Sequence, residues 1–186
     1  MPIATLVGDL TQAEAFPLIR GGGVFLIVVG IAIVLGAFFF RVRYPVFGVG
    51  AAIASGLTAA FAASLAAPYG APSLIQLASL GVAVALEMIL LVRVLNSSLA
   101  FDDRETMLAI LTIVGAHFVL MSPAFGPLMI ALAGASVLNV LLALVLRAYA
   151  SPLVWAVDGA LKAGVGALMF YGDRIPCTMC LSWSMP

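Results

Sequence analysis

Charge is what this chain has least of. Only 9% of its 186 residues are Asp, Glu, Lys or Arg, against roughly a quarter in soluble domains. None of the four occurs from Tyr44 through Leu86 or from Thr106 through Leu146. A soluble core cannot absorb the apolar surface of a sequence that is 65% hydrophobic with a mean hydropathy of +1.25, so a soluble globular fold is excluded. Bases and acids balance at eight each, which leaves no basic stripe for a nucleic-acid backbone and excludes that partner. Histidine occurs once, as His117, and cysteine twice, as Cys177 and Cys180. That scarcity argues against a metal site, because zinc within one chain needs further thiols or imidazoles. No cofactor motif is present. Residues 1–19 hold Asp9 and Glu14 but no base, unlike the basic start of a secretory signal peptide. The first apolar segment is therefore expected to remain as a membrane span. Lipidation and retention motifs are absent from both ends.

What is present is length in apolar sequence. Each uncharged stretch exceeds 40 residues, about twice the ~20 that a helix needs to cross a ~30 Å hydrocarbon core, and each is interrupted by Pro and Gly near its middle. Both read as helical hairpins within a membrane. In hydrocarbon every backbone polar group must be paired inside the protein, and the two-residue alternation of a barrel strand is missing, so the spans are helices. The predicted fold is an all-α integral membrane protein: one bundle of six spans at about 21–40, 45–67, 73–95, 106–121, 127–147 and 152–171. An N-terminal segment, 1–19, precedes the membrane domain 20–172, and a tail, 173–186, follows it.

Cytoplasmic loops are enriched in Lys and Arg. Arg41, Arg43, Arg93, Arg104 and Arg147 lie at alternate connections, against Arg20 and Arg174 on the other side. The asymmetry predicts a protein of bacterial inner-membrane type with both termini outside the cytoplasm. Pro45-Val-Phe-Gly48 and Pro123-Ala-Phe-Gly126 open spans two and five, and Pro72 and Pro152 open spans three and six. Two inverted three-helix halves, an architecture common in secondary transporters, would produce that spacing.

Small residues recur every four positions in span two, at Ala51, Ser55, Ala59, Ala63 and Ala67, and again in span six, where Gly159 and Gly164 lie on adjacent stripes. Such stripes let membrane helices approach closely, so span two is expected to be buried, with a narrow substrate path as the functional alternative.

Polar groups inside spans cost several kcal/mol unless they face a partner or water, which makes them functional candidates. Counted from the basic ends at ~1.5 Å per residue, Asp158 lies ~9 Å deep, Glu87 and Asn139 ~12 Å, Lys162 ~15 Å and His117 ~16 Å. Four spans thus place polar groups in one layer. Asp158 and Lys162, four apart, share a helix face and can pair. Glu87 is left as the unmatched carboxylate, to be neutralised by its own proton, by a proton on His117 or by a bound cation. The structural alternative is a fixed hydrogen-bond network that sets helix register, with Glu87 protonated or reaching toward Arg93. For His117 and Asn139 alone, that structural role is a satisfied buried imidazole and interhelical glue.

Cys177-Thr-Met-Cys180 is compatible with a disulfide or a redox dithiol. No thioredoxin-like pattern surrounds it, and no further cysteine stands ready to relay electrons. Asp158-Gly159-Ala160 resembles part of the D-G-x-x-A-R stretch of the CDP-alcohol phosphotransferases. The preceding aspartate, the arginine and the downstream aspartates of that signature are absent, so its metal-dependent chemistry is not implied. The reading these residues favour is a small transporter or channel for a small solute or ion, with the polar layer as its centre and the lipid bilayer as its partner. A different class, a structural or assembly subunit of a homo-oligomer or larger membrane complex, competes with it; an intramembrane enzyme or thiol oxidoreductase comes third, with no catalytic residues identified. Transport calls for a water-accessible cavity at the layer, whereas a subunit calls for a sealed layer and an exposed small-residue face.

Overall fold

The computed structural model describes residues 16–66, 70–97, 103–146 and 151–172. Among them the chain forms seven α-helices and no strand: α1 (Ile19–Phe38), α2 (Arg43–Ala60), α3 (Ala62–Ala66), α4 (Leu74–Ser97), α5 (Asp103–Phe125), α6 (Leu128–Val145) and α7 (Ser151–Tyr171). Five of these, α1, α4, α5, α6 and α7, are long and apolar enough to cross a membrane. The second expected span is split. Its main helix stops at Ala60 and the short α3 follows after Phe61, whose backbone leaves the helical region at φ −103°, ψ 8°. Large apolar side chains such as Leu74, Ile75, Phe38 and Val145 stand exposed on outward faces, an arrangement suited to hydrocarbon as the solvent.

The helix ends follow local chemistry. At the start of α4, the Ser73 amide donates to Gln76 Oε1 at 2.8 Å and the Gln76 amide donates to Ser73 Oγ at 3.3 Å, a reciprocal cap that satisfies two orphan donors. Helix α5 runs through Pro123 to Phe125 instead of ending near Met121. Proline removes the amide that would serve the Val119 carbonyl, and the Ser122 hydroxyl donates to that same carbonyl at 2.8 Å. Gly126 then ends the helix at φ 91°, a conformation that costs glycine little. Arg104, in the first turn of α5, donates to the Ala143 carbonyl in the last turn of α6, where a cation meets the negative end of the helix dipole.

Packing centres on an antiparallel seam between α1 and α7, the most extensive helix pair in the chain. Gly23 and Gly30 face Gly166 and Gly159. A methyl group on Gly30 would stand 2.6 Å from the Gly159 carbonyl oxygen, and one on Gly23 would stand 2.7 Å from that of Gly166. The two backbones are in contact, and dispersion and close carbonyl contacts replace the hydrophobic drive that lipid does not supply. Helix α2 packs on the other side of α1, α4 on α5, α5 on α6, and α6 on α7.

The small-residue stripe of α2 and α3 does not supply this packing. Ser55, Ala59 and Ala63 are exposed and Ala51 is half-buried. Helix α2 meets α1 instead through Gly50, seated against Ala32, and through fully buried Ala54. In an alanine- and glycine-rich helix several stripes are small enough to pack, and α1 selects one of them. Gly164 likewise faces open space.

Candidate functional site

Two apolar clusters make up the interior. One gathers Ile19, Leu26, Met129, Leu132 and Met169; the other gathers Ile33, Val140, Ala143, Val154 and Trp155. Along α6 and α7 the polar residues fall between them: Ser136 and Asn139 separate Ala133 from Val140, and Asp158 and Lys162 separate Trp155 from Met169.

Asp158 and Lys162 are both fully buried, and the Lys162 ammonium donates directly to Asp158 Oδ2 one helical turn away. Asp158 Oδ1 has no hydrogen-bond partner. Lys162 Nζ also faces the ring of Phe118 at 5.5 Å from its centroid, and a cation over an aromatic face is stabilised when desolvated. Phe118 in turn lies against the His117 ring, with centroids 4.4 Å apart.

Glu87 does not turn toward Arg93. Its Oε2 lies 3.4 Å from His117 Nε2, with the Glu side chain 16% exposed and the His side chain 7%. Lys162 acts electrostatically on both members of that pair. Helices α4, α5 and α7 therefore bring Glu87, His117, Asp158 and Lys162 into one charge-coupled group. With the Asp–Lys pair neutral, one proton shared between Glu87 and His117 leaves the whole group neutral; adding or removing a proton changes its charge by one.

Asn139 stands at the edge of this layer. Its Nδ2 donates to the Val154 carbonyl at 2.9 Å, tying α6 to α7 one turn before Asp158. Ser136, fully buried three residues earlier on α6 with no hydrogen-bond partner for its hydroxyl, packs where Gly115 brings α5 close. The sequence reading missed Ser136, although its three-residue offset from Asn139 places it on the same helix face. It also missed the burial of Arg43, which enters there only among the arginines that set the orientation. Arg43 is 1% exposed; its Nη2 donates to the Tyr44 hydroxyl at 2.9 Å, and its guanidinium lies 5.8 Å from the Trp155 ring centroid. The signal for the α1–α7 seam was the equal spacing Gly23-x6-Gly30 and Gly159-x6-Gly166.

Among the described residues no group of three or more His, Cys, Asp or Glu is placed to hold a metal ion. Cys177, Cys180, Arg147 and Ala67 lie outside the described residues. Asp158 and Lys162 are fully buried and His117 is buried, while the Glu87 side chain keeps 16% of its surface exposed; a cavity that Phe118 helps to line is apolar. No curated protein and no solved structure matches the chain. A family model does match, over residues 10–177, and the chain belongs to that family, a family of unknown function designated DUF6609.

Proposed function

We propose that the chain is a small membrane transporter for a proton or a small solute, with Glu87, His117, Asp158 and Lys162 as its charge-handling centre. The observation that carries this reading is the 3.4 Å Glu87–His117 contact on α4 and α5, electrostatically coupled to a buried Asp–Lys pair on α7. Four ionisable groups at the centre of an apolar bundle are expensive, and they mark ion pathways and proton relays. Helix α4 is the element placed to move. It packs extensively on α5 alone, and of the side chains described along it Ala83 is the buried one. The Glu87–His117 contact is a tie that holds it. A change of one proton charges the pair beside Lys162 and alters that tie, coupling protonation to the position of α4.

The chain crosses the membrane six times in this reading, α2 and α3 together forming the second crossing, and both termini lie outside the cytoplasm. Its helix pairings support two inverted halves, α1 to α4 and α5 to α7. Exchanging α1 with α5, α2 with α6 and α4 with α7 carries the α1–α7 pairing onto α5–α4, and α1–α2 onto α5–α6, both of which occur. The α6–α7 pairing has no comparably packed counterpart between α2 and α4. Inverted-repeat transporters bind their substrates near the midplane where the halves meet, and the charged group draws on helices from both halves. Of the four groups, Asp158 and Lys162 are shut inside the bundle and Glu87 keeps a partly exposed side chain.

The test is flux. In vesicles of phosphatidylethanolamine and phosphatidylglycerol containing a trapped pH indicator, the wild-type chain should dissipate an imposed pH gradient, alone or with a candidate solute. Glu87→Gln, whose amide fills the same space and still hydrogen-bonds, should remain folded and lose the flux or its pH dependence. An unchanged flux and pH profile in Glu87→Gln would make the carboxylate structural and refute proton coupling.

A second reading is supported by the exposed small-residue face at Ser55, Gly56 and Ala63: a subunit that packs this face against a membrane partner. Under it Glu87→Gln changes no flux, while Gly56→Leu, with nothing within 4 Å of the added group, changes the size of the purified assembly.

A further inference from the structure

We infer that the chain holds one hydrocarbon chain of a membrane phospholipid in a cavity beside the charged layer; the inference does not depend on transport. The cavity has a volume of about 360 Å³. Its back wall is buried and comes from α1 and α5, with Gly22, Leu26, Met121 and Phe125. Of its residues on α2, α3 and α4, Ser55, Ala59, Ala62 and Val84 are exposed, and Thr58, Leu65, Ala66 and Leu80 are half-buried. The cavity therefore opens sideways, through the gap where α2 and α4 fail to pack against each other, onto the surface that faces lipid. It runs from Pro17 and Leu65 at one end of the bundle down to Phe118.

Chemistry selects the occupant. A buried water needs two to four polar partners, and among the described lining residues the hydroxyl-bearing side chains are Ser55 and Thr58, the latter with its hydroxyl 3.5 Å from the Gly21 carbonyl. Leaving such a space unfilled forfeits the dispersion contacts of everything that lines it. Outside the mouth lies hydrocarbon at the concentration of the bilayer itself. At ~30 Å³ for a unit the size of a water, a cavity of about 360 Å³ is on the scale of a segment of one acyl chain.

The position has a consequence for the charged group. The inner end of the cavity is Phe118, the ring that Lys162 faces at 5.5 Å and against which His117 lies. A chain seated there holds Phe118 in place and fills the space next to Leu80 and Val84 on α4.

The experiment uses the intact chain in phosphatidylethanolamine and phosphatidylglycerol vesicles doped with a phosphatidylcholine that carries a diazirine near the end of one acyl chain. After irradiation, peptide mapping should place the label on Leu26, Met121 and Phe125, buried residues that lipid reaches only through the cavity. Label on the exposed Ile89 serves as the reference for ordinary lipid contact. Ala59→Phe and Val84→Phe add bulk at opposite sides of the mouth, on exposed positions that folding does not need. Each should lower label on the buried residues roughly ten-fold relative to Ile89. Label confined to outward faces in the wild type would overturn the inference, and so would buried-residue labelling that neither variant reduces.

Discussion

Lys162→Met gives the sharpest test of how the charged layer is held. The ammonium and the Asp158 carboxylate are both fully buried, and Asp158 Oδ1 has no hydrogen-bond partner, so compensation for that negative charge comes through Oδ2 and Lys162. Removing one member of a buried pair typically costs 3–5 kcal/mol, whereas replacing both with apolar residues of similar volume is often neutral or stabilising. Methionine is the informative replacement because its thioether still packs on Phe118, which isolates the loss of charge from the loss of contact. For a chain of this size ~1 kcal/mol shifts the melting temperature by roughly 2–4 °C, so the single variant should melt about 6–20 °C lower. The double variant Asp158→Leu/Lys162→Met should recover most of that loss. The measurement is a thermal melt in one fixed detergent, read by tryptophan fluorescence, with Trp155 buried in the adjoining cluster. A single variant that melts no lower than the double one would show that the two residues do not depend on each other and would refute the argument.

The remaining predictions concern the seam and the orientation. Gly30→Leu places side-chain atoms where a methyl already falls 2.5 Å from the Ala163 amide nitrogen; overpacking of this kind costs about 1–3 kcal/mol, and the melt should fall accordingly. Gly164→Ala, with nothing within 4 Å, should instead leave the melting temperature unchanged or raise it, since alanine is favoured over glycine within a helix by roughly 0.5–1 kcal/mol. Equal losses in the two variants would rule out the seam. Single cysteines at Glu105 and Gly70, in a background lacking Cys177 and Cys180, should be respectively protected from and accessible to a membrane-impermeant thiol reagent in intact cells; the reverse pattern would invert the proposed topology.

Much of the architecture is visible in the amino-acid order because charge is so rare. The uncharged stretches imply helices through the constraint on backbone polar groups in hydrocarbon, and the helix pair meeting at Gly126 follows from Pro and Gly chemistry. The depth of each polar residue can be counted along its helix, which is why Glu87, His117, Asp158 and Lys162 fall in one layer before any coordinates are seen. The i, i+4 spacing of Asp158 and Lys162 likewise implies their pairing. Rotation about each helix axis is a different quantity. In water, an apolar stripe on a polar helix reports which face is inward; here apolar residues cover most positions of each long helix, and nothing in the pattern says that Glu87 turns to His117 and not toward Arg93. The same loss of signal explains the α2 stripe: Gly50 with Ala54 and Ser55 with Ala59 are equally small, and only the partner surface at Ala32 distinguishes them. The α1–α7 seam escaped for a related reason. Small residues at four-residue spacing mark contact at every turn, whereas these antiparallel helices touch at Gly23, Gly30, Gly159 and Gly166, every second turn.

These differences in packing divide the charged group between a fixed and a loosely held part of the bundle. Asp158 and Lys162 stand on α7, which is held by backbone contact with α1 and by the Asn139 bond from α6. Glu87 stands on α4, the crossing helix with the most exposed surface and a cavity at its side. In the proposed transporter, a change in proton count on Glu87 and His117 acts on an element with little packing to oppose it, while the Asp–Lys pair keeps the opposing charges stationary. A purely register-setting contact and a proton-sensitive one both suit a loosely packed helix, and the flux and pH profile of Glu87→Gln separate them. Glu87 lies on the helix whose register the surrounding packing constrains least, so loss of its charge is read most directly in the position of α4 relative to α5.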